Sequence, residues 1–186
     1  MIFLVTGGAG FIGSHLCETL LRQGHAVTAL DNFDDFYDPS IKEKNIQLCR
    51  AQSGFQLVHG DILNPHTLGQ VFSTCKPDMV IHLAARAGVR PSIQHPMLYQ
   101  KVNIEGTINI LEAMRINNVN KLILASSSSV YGNNEKIPYS ESDNVDRAIS
   151  PYAATKKTCE VLAYTYYHLY NIETFCLRFF TVYGPR

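Results

Sequence analysis

The chain has 186 residues, 46% of them hydrophobic and 17% charged. That is enough apolar material for one real core, and it excludes a disordered polypeptide. Sixteen basic residues balance sixteen acidic ones, so the basic footprint of a dedicated nucleic-acid binder is missing, and no apolar run approaches the roughly 18 residues of a membrane span.

Met1 to Gly8 carries no charged stretch and reaches glycine too early for a secretory leader, which points to a cytoplasmic protein. Ile2–Thr6 reads as a short strand. Phe11–Gln23 sets Ile12, Leu16, Leu20 and Leu21 at helical spacing, and Gly24 supplies the stop. Ala26–Leu30 predicts a second strand and residues 32–39 a loop, with Pro39 opening a helix to about Ala51. Phe55–His59 is a third strand, Asn64-Pro65 starts a helix to Cys75, and Asp78–His82 is a fourth strand. A long helix over 96–116, broken near its start, leads to a fifth strand at Lys121–Ser126. Ser150 caps a helix over 151–170, and Thr174–Arg178 is the sixth strand. Strand and helix alternate throughout. The expected fold is therefore α/β, a doubly wound parallel sheet in one domain over 1–186.

Cys17, Cys49, Cys75, Cys159 and Cys176 are odd in number and widely spaced. No C-x-x-C occurs and no His/Cys cluster has ligand spacing, so reduced, mostly buried thiols and no metal are expected. His82 follows the apolar run Met79-Val80-Ile81 and reads as a structural histidine at a strand end.

Thr6-Gly7-Gly8-Ala9-Gly10-Phe11-Ile12-Gly13 stands between the first strand and the first helix. Gly8, Gly10 and Gly13 fit G-x-G-x-x-G, and Gly7, Gly10 and Gly13 fit the related G-x-x-G-x-x-G. In that context the glycines allow a tight turn and a close approach of backbone N–H groups to a pyrophosphate, and the helix N-terminus adds partial positive charge. This is the Rossmann dinucleotide fingerprint. Asp31, at the end of the second strand, can accept from ribose hydroxyls and would repel a 2′-phosphate, which favours NAD over NADP. Asp61, after the third strand, is a candidate for the adenine end; a plain strand-end cap is the competing reading.

Tyr152 and Lys156 are four apart on a predicted helix and share a face. An ammonium near a phenol stabilises the phenolate and lowers its pKa, so the tyrosine can act as a base. Ser126–Ser129 follows the fifth strand, at the carboxyl edge where ligands bind in such sheets.

Taken together, the glycine turn, Asp31-Asn32, Gly60-Asp61, His82-Leu83-Ala84-Ala85, Ser126–Gly132, Tyr152-x-x-x-Lys156 and Arg178-Phe179-Phe180 resemble the extended short-chain dehydrogenase/reductases that act on nucleotide sugars, the NAD-dependent epimerase/dehydratase family. Asp31-Asn32-Phe33 with Tyr37-Asp38-Pro39, Ala87-Gly88-Val89-Arg90, and Arg178 to Pro185 are most similar to its branch that epimerises UDP-glucuronate at C4. The resemblance implies that Ser127, Tyr152 and Lys156 are catalytic, Lys156 also holding the nicotinamide ribose. It implies that Gly7, Gly10, Phe11, Ile12, Gly13, Asp31, Asn32, Asp61, Ile62, Leu83, Ala84, Ala85, Asn103, Ser126, Tyr152, Lys156 and Phe179 meet NAD. Arg90, Ser127, Ser128 and Thr181 are implied to face the UDP-sugar.

The family's 4,6-dehydratases carry Asp-Glu just before Val-Tyr-Gly, and its decarboxylases carry a glutamate at the second place. Ser128 and Ser129 stand there instead, and neither is an ionisable proton donor at neutral pH. Epimerisation of UDP-galactose or a UDP-N-acetylhexosamine stays open as an alternative. So does a chain that binds NAD without turnover, because Tyr183-Gly184-Pro185-Arg186 reads as a loop leading onward to a substrate domain largely absent from this chain. The resemblance also implies a homodimer through the two long helices, with Leu162, Tyr166 and Leu169 as an apolar stripe, and no nucleic-acid or membrane partner.

Overall fold

The computed structural model describes residues 1–186. Its sheet has six strands: β1 (Ile2–Thr6), β2 (Ala26–Asp31), β3 (Phe55–His59), β4 (Met79–His82), β5 (Lys121–Ser127) and β6 (Glu173–Phe179). They are parallel throughout and lie in the order β3-β2-β1-β4-β5-β6. The order reverses at β1, so the crevice between the loops after β1, β2 and β4 is where such a sheet takes ligands.

The helices are α1 (Phe11–Arg22), α2 (Pro39–Asn45), α3 (Gln47–Arg50), α4 (Pro65–Cys75), α5 (Val89–Gln94), α6 (Pro96–Tyr99), α7 (Gly106–Ile116) and α8 (Pro151–Tyr170). Alternate residues of β1 go to opposite faces. Leu4 joins a cluster with Leu68, Phe72, Ile110, Met114 and Ala163 from α4, α7 and α8. Phe3 and Val5 join a cluster with Cys17, Leu20, Leu21 and Cys49 from α1 and α3. That second layer stops short of β6, where Phe175 and Leu177 on the same face are exposed.

Helix starts follow local chemistry. Asn64 Oδ1 accepts from the N–H groups of His66 and Thr67 at the start of α4, and Ser150 Oγ accepts from Ala153 N–H at the start of α8. Gly24 takes φ +81° after α1, the left-handed conformation that a glycine stop supplies.

Three elements differ from the sequence reading. The helix expected from Pro39 to Ala51 is two helices, because Ile46 turns at φ −96°, ψ 1° to bury its side chain. Asn45 Nδ2 at the same corner donates to the Ala9 carbonyl (3.2 Å). The helix over 96–116 is not interrupted; Gln100–Glu105 widens into a π-helix that joins α6 to α7. α5 was not anticipated, being only six residues long with Pro91 inside it. The stripe expected on α8 is also corrected. Leu162 and Tyr166 pack against the main core, and Tyr166 Oη donates to Glu112 (2.6 Å), which leaves only Leu169 of the three exposed.

Candidate active site

A cavity of about 420 Å³ opens at the carboxyl ends of β1, β2 and β4. Its floor is the glycine turn. Gly7 sits at φ +68°, and its N–H donates to the Leu30 carbonyl (2.8 Å). A Cβ at Gly7 would lie 2.9 Å from Ala84 N, and one at Gly13 would lie 2.2 Å from the Gly7 carbonyl oxygen. Glycine at both positions is what lets α1 start so close to β1 and β4. Gly10 precedes α1 without a capping side chain. The first N–H groups of a helix have no partner inside it, and Phe11, Ile12 and Gly13, which carry them, line the cavity. The result is an uncapped, partly positive helix end facing an open cleft.

Asp31 and Asn32 line one wall with Asp61 and Ile62, while Leu83, Ala84 and Ala85 line the other. Asp31 is 3% exposed. Its Oδ2 accepts from Ala9 N–H (3.1 Å), and its Oδ1 accepts from Phe33 N–H (2.9 Å) and from Lys42 Nζ (3.0 Å). Three of a carboxylate's roughly four acceptor positions are thus filled, and one position on Oδ2 is free in a residue that lines the cavity. Lys42 is the partner that the sequence reading missed. Removing either member of this buried pair would strand the other charge, at a cost of about 3–5 kcal/mol. Asp61 accepts from Leu63 N–H (2.8 Å) and from Asn32 Nδ2 (2.9 Å), so it ends the strand and braces the neighbouring loop at once.

Asn103, Ser126, Tyr152, Lys156 and Phe179 lie outside the lining of this cavity. Ser127 ends β5, and its Oγ accepts from Ser129 N–H (3.1 Å). Burial pushes the Tyr152 pKa up, and Ser127 opposes that only in part. Lys156 is buried and donates to the Ala125 carbonyl (2.8 Å), with Ala125 itself lining the cavity. Burial lowers the Lys156 pKa. One of the three ammonium donors is used on Ala125, which leaves two for other partners.

Tyr152 is held from several sides. Ser92 on α5, fully buried, donates to the Val89 carbonyl (2.6 Å) and accepts from Tyr152 N–H (3.1 Å). Thr155 Oγ1 donates to the Tyr152 carbonyl (2.8 Å) and accepts from Asn103 Nδ2 (3.0 Å). Asn103, in the π-helix, also grips the backbone of Arg86, accepting from its N–H (2.8 Å) and donating to its carbonyl (3.1 Å). A short π segment often marks a functional site; here it frees the Asn103 carbonyl to accept from Thr107 Oγ1 (2.6 Å) and Cys159 Sγ (3.2 Å). No sequence pattern announced Ser92.

Ser126 turns away from the cavity and donates to Glu160 (2.5 Å), which pairs with Arg178 through two bonds of 3.0 Å. Burial works to raise Glu160, but Arg178 and Ser126 outweigh it and hold the carboxyl below its ordinary range. Arg178 thus ties β6 to α8, and it lies 5.0 Å over the Tyr131 ring, which stacks with Tyr139 and Phe180. Phe179 ends β6. Ser128 is half-buried, and Arg90 and Thr181 are exposed.

The sheet order and the glycine-rich first crossover define a Rossmann-type protein. The model of the family described as GDP-mannose 4,6 dehydratase matches residues 4–186, and the chain belongs to this NAD-dependent epimerase/dehydratase family. A UDP-glucuronate 4-epimerase of Thermodesulfobacterium geofontis is 47% identical over 183 residues, 98% of this chain and 56% of that protein. The crystal structure of UDP-glucuronic acid 4-epimerase from Bacillus cereus, in complex with UDP-glucuronic acid and NAD, is similar at 40% identity and a TM-score of 0.91, over 100% of this chain and 58% of that one. A Thermus thermophilus UDP-glucose 4-epimerase bound to NAD is similar at 36% identity and a TM-score of 0.88, over 100% of this chain and 57% of that one. The chain spans about half the length of the curated relatives it matches.

His82 sits beneath this site and yields a pH test. Thr107 Oγ1 gives its hydrogen to Asn103, so it accepts from His82 Nε2–H (3.1 Å). Thr6 Oγ1 accepts from Ala84 N–H and donates to His82 Nδ1 (2.6 Å). The neutral ring is thus fully partnered. Burial first, and the Lys156 charge second, bring its pKa from 6.5 to about 3. The unfolded chain binds a proton that the folded one refuses between those values, so stability falls as pH drops, by up to roughly 1.4 kcal/mol per unit. Urea midpoints measured from about pH 7 to about pH 4.5 should fall more steeply for the native sequence than for His82→Gln; equal slopes would contradict the assignment.

Proposed function

We propose that residues 1–186 form the NAD-binding domain and carry the catalytic side chains of a UDP-sugar 4-epimerase, with UDP-glucuronate as substrate and UDP-galacturonate as product. The observation that carries this reading is the glycine-floored cavity at the switch point of the parallel sheet, with Lys156, on the same helix as Tyr152, held at its Ala125 edge. Relatives named UDP-glucuronate 4-epimerase in bacteria and plants at 42–48% identity support the substrate. So does the higher identity to the UDP-glucuronic acid enzyme than to the UDP-glucose enzyme, 40% against 36%.

The residues fit NAD. The uncapped start of α1 can take a diphosphate, and the free acceptor position on Asp31 can take a ribose hydroxyl. A 2′-phosphate needs donors, and a carboxylate gives none. When bound, NAD supplies the hydride acceptor and donor that no side chain provides. Tyr152 takes the proton of the sugar 4-hydroxyl as hydride leaves C4, and returns it once the sugar has presented its other face. Ser127 hydrogen-bonds the same oxygen. Lys156 supplies the positive charge that brings the Tyr152 pKa down. A 4-keto uronate is a β-keto acid and loses carbon dioxide most readily when the breaking bond stands perpendicular to the ketone plane. Ser127, Ser128 and Ser129 are hydroxyls that can grip the carboxylate and hold it away from that geometry.

In this reading Asn103 serves NAD by holding the Arg86 backbone at the cavity, Ser126 through its backbone near the end of β5, its hydroxyl being given to Glu160, and Phe179 from the end of β6, while Arg90 and Thr181 wait at the surface for the UDP-sugar. The protein works in the cytoplasm as a homodimer joined through the helices over 96–116 and 151–170, and no helix is long and apolar enough to cross a membrane. Val161, Thr165 and Leu169, four apart and exposed on α8, offer a face for that pairing. A monomeric mass in sedimentation equilibrium would overturn the dimer.

The complete protein, incubated with NAD⁺ and UDP-glucuronate, should produce UDP-galacturonate, observed by NMR at C4. Tyr152→Phe should slow it by about 10²–10⁴-fold and leave NAD binding intact. Turnover of UDP-glucose or UDP-N-acetylglucosamine without turnover of UDP-glucuronate would overturn the substrate, and NAD binding with no turnover of any UDP-sugar would overturn the activity.

A further inference from the structure

We propose that Arg86 and Asp34 form a clasp across the cavity that retains the dinucleotide, an inference that rests on the cofactor reading above. Asp34 lies in the loop after β2, and Arg86 lies in the segment after β4. The sheet order puts β1 between those two strands. Arg86 Nη2 donates to Asp34 Oδ2 at 2.8 Å, so the pair spans the carboxyl end of β1, where the glycine turn begins. Both residues line the cavity. A ligand seated on the glycine turn between Asp31 and Ala84 lies within the ring that this bond closes.

The two sides of the clasp differ in kind. Arg86 is the fixed post. Its backbone N–H and carbonyl are both held by the buried Asn103 amide. Asp34 is the hook, in a loop with no helix or strand between Asp31 and Pro39. Its Oδ1 accepts from Phe36 N–H (2.8 Å), which folds the loop so that the Phe36 ring lies 5.4 Å from the Arg86 guanidinium carbon. Charge and ring therefore engage the same guanidinium.

The exposure of the pair says how it works. The Arg86 and Asp34 side chains are 18% and 31% exposed, unlike the sealed Asp31–Lys42 pair. Both side chains keep contact with solvent, so the pair can open for a cofactor to enter and leave, while the closed form slows departure. An epimerase has a use for that: it must return to the sugar the hydride it removed, and cofactor lost partway would strand an oxidised sugar in the site.

The test is the release rate of bound NADH from the protein, followed by its fluorescence on displacement with excess NAD⁺. Asp34→Asn and Arg86→Gln should each speed release by roughly three- to tenfold. The double variant should release no faster than the faster single one, and the exchanged pair Asp34→Arg with Arg86→Asp should recover most of the loss. Unchanged release in both single variants would overturn the clasp. Faster release in Arg86→Gln alone would also overturn it and make Arg86 a direct ligand of the dinucleotide. Failure of the native protein to bind NADH would overturn the cofactor reading, and the clasp with it.

Discussion

The rest of the structure depends on the contact between the start of α1 and the turn after β1. A single added carbon at Gly13 would lie 2.2 Å from the Gly7 carbonyl oxygen, and one at Gly8 would lie 2.6 Å from Ala29 Cβ. Neither neighbour can yield, since one is backbone and the other is a fully buried side chain of β2, held between β3 and β1. Because the approach is that close, Ala9 N–H reaches Asp31 and the Ala9 carbonyl reaches Asn45. One turn thereby sets the position of the β2 carboxylate, of Lys42 through that carboxylate, and of the corner between α2 and α3. The cavity is what remains above these constraints.

A second hub, Asn103, joins that cavity to the catalytic helix. Its amide holds the Arg86 backbone and Thr155, Thr155 holds the Tyr152 carbonyl, and its own carbonyl takes two further bonds. No buried side-chain nitrogen or oxygen in the structure lacks a partner. In a low-dielectric interior a half-satisfied network would cost more than an apolar one. Full pairing makes Asn103 a link that ties the segment after β4 to the start of α8.

Much of this was legible in the sequence because local chemistry and global fold agree there. β1, β3 and α4 lie where apolar periodicity, the Asn64-Pro65 start and the strand ends put them, and the glycine spacing marked the floor of the cavity. Other features depend on contacts between residues far apart in the chain, which periodicity does not record. Lys42 meets Asp31 only once α2 has folded back. Ser92 looks like any polar residue in a short helix until α5 packs against Tyr152 N–H. Arg178, read as part of a site motif, is used to bind Glu160. Leu162 and Tyr166 have the spacing of an exposed stripe but face the core. The Tyr152–Lys156 spacing placed both residues on α8, but the Lys156 bond to the Ala125 carbonyl was not legible from it.

The most direct measurement of the central claim is calorimetric titration of the protein with NAD⁺ and, separately, with NADP⁺. The floor of glycines, the uncapped start of α1 and the single free acceptor position on Asp31 predict one NAD⁺ per chain and NADP⁺ weaker by about tenfold or more, or about 1.4 kcal/mol. Equal binding of the two, or no heat with either, would contradict the account.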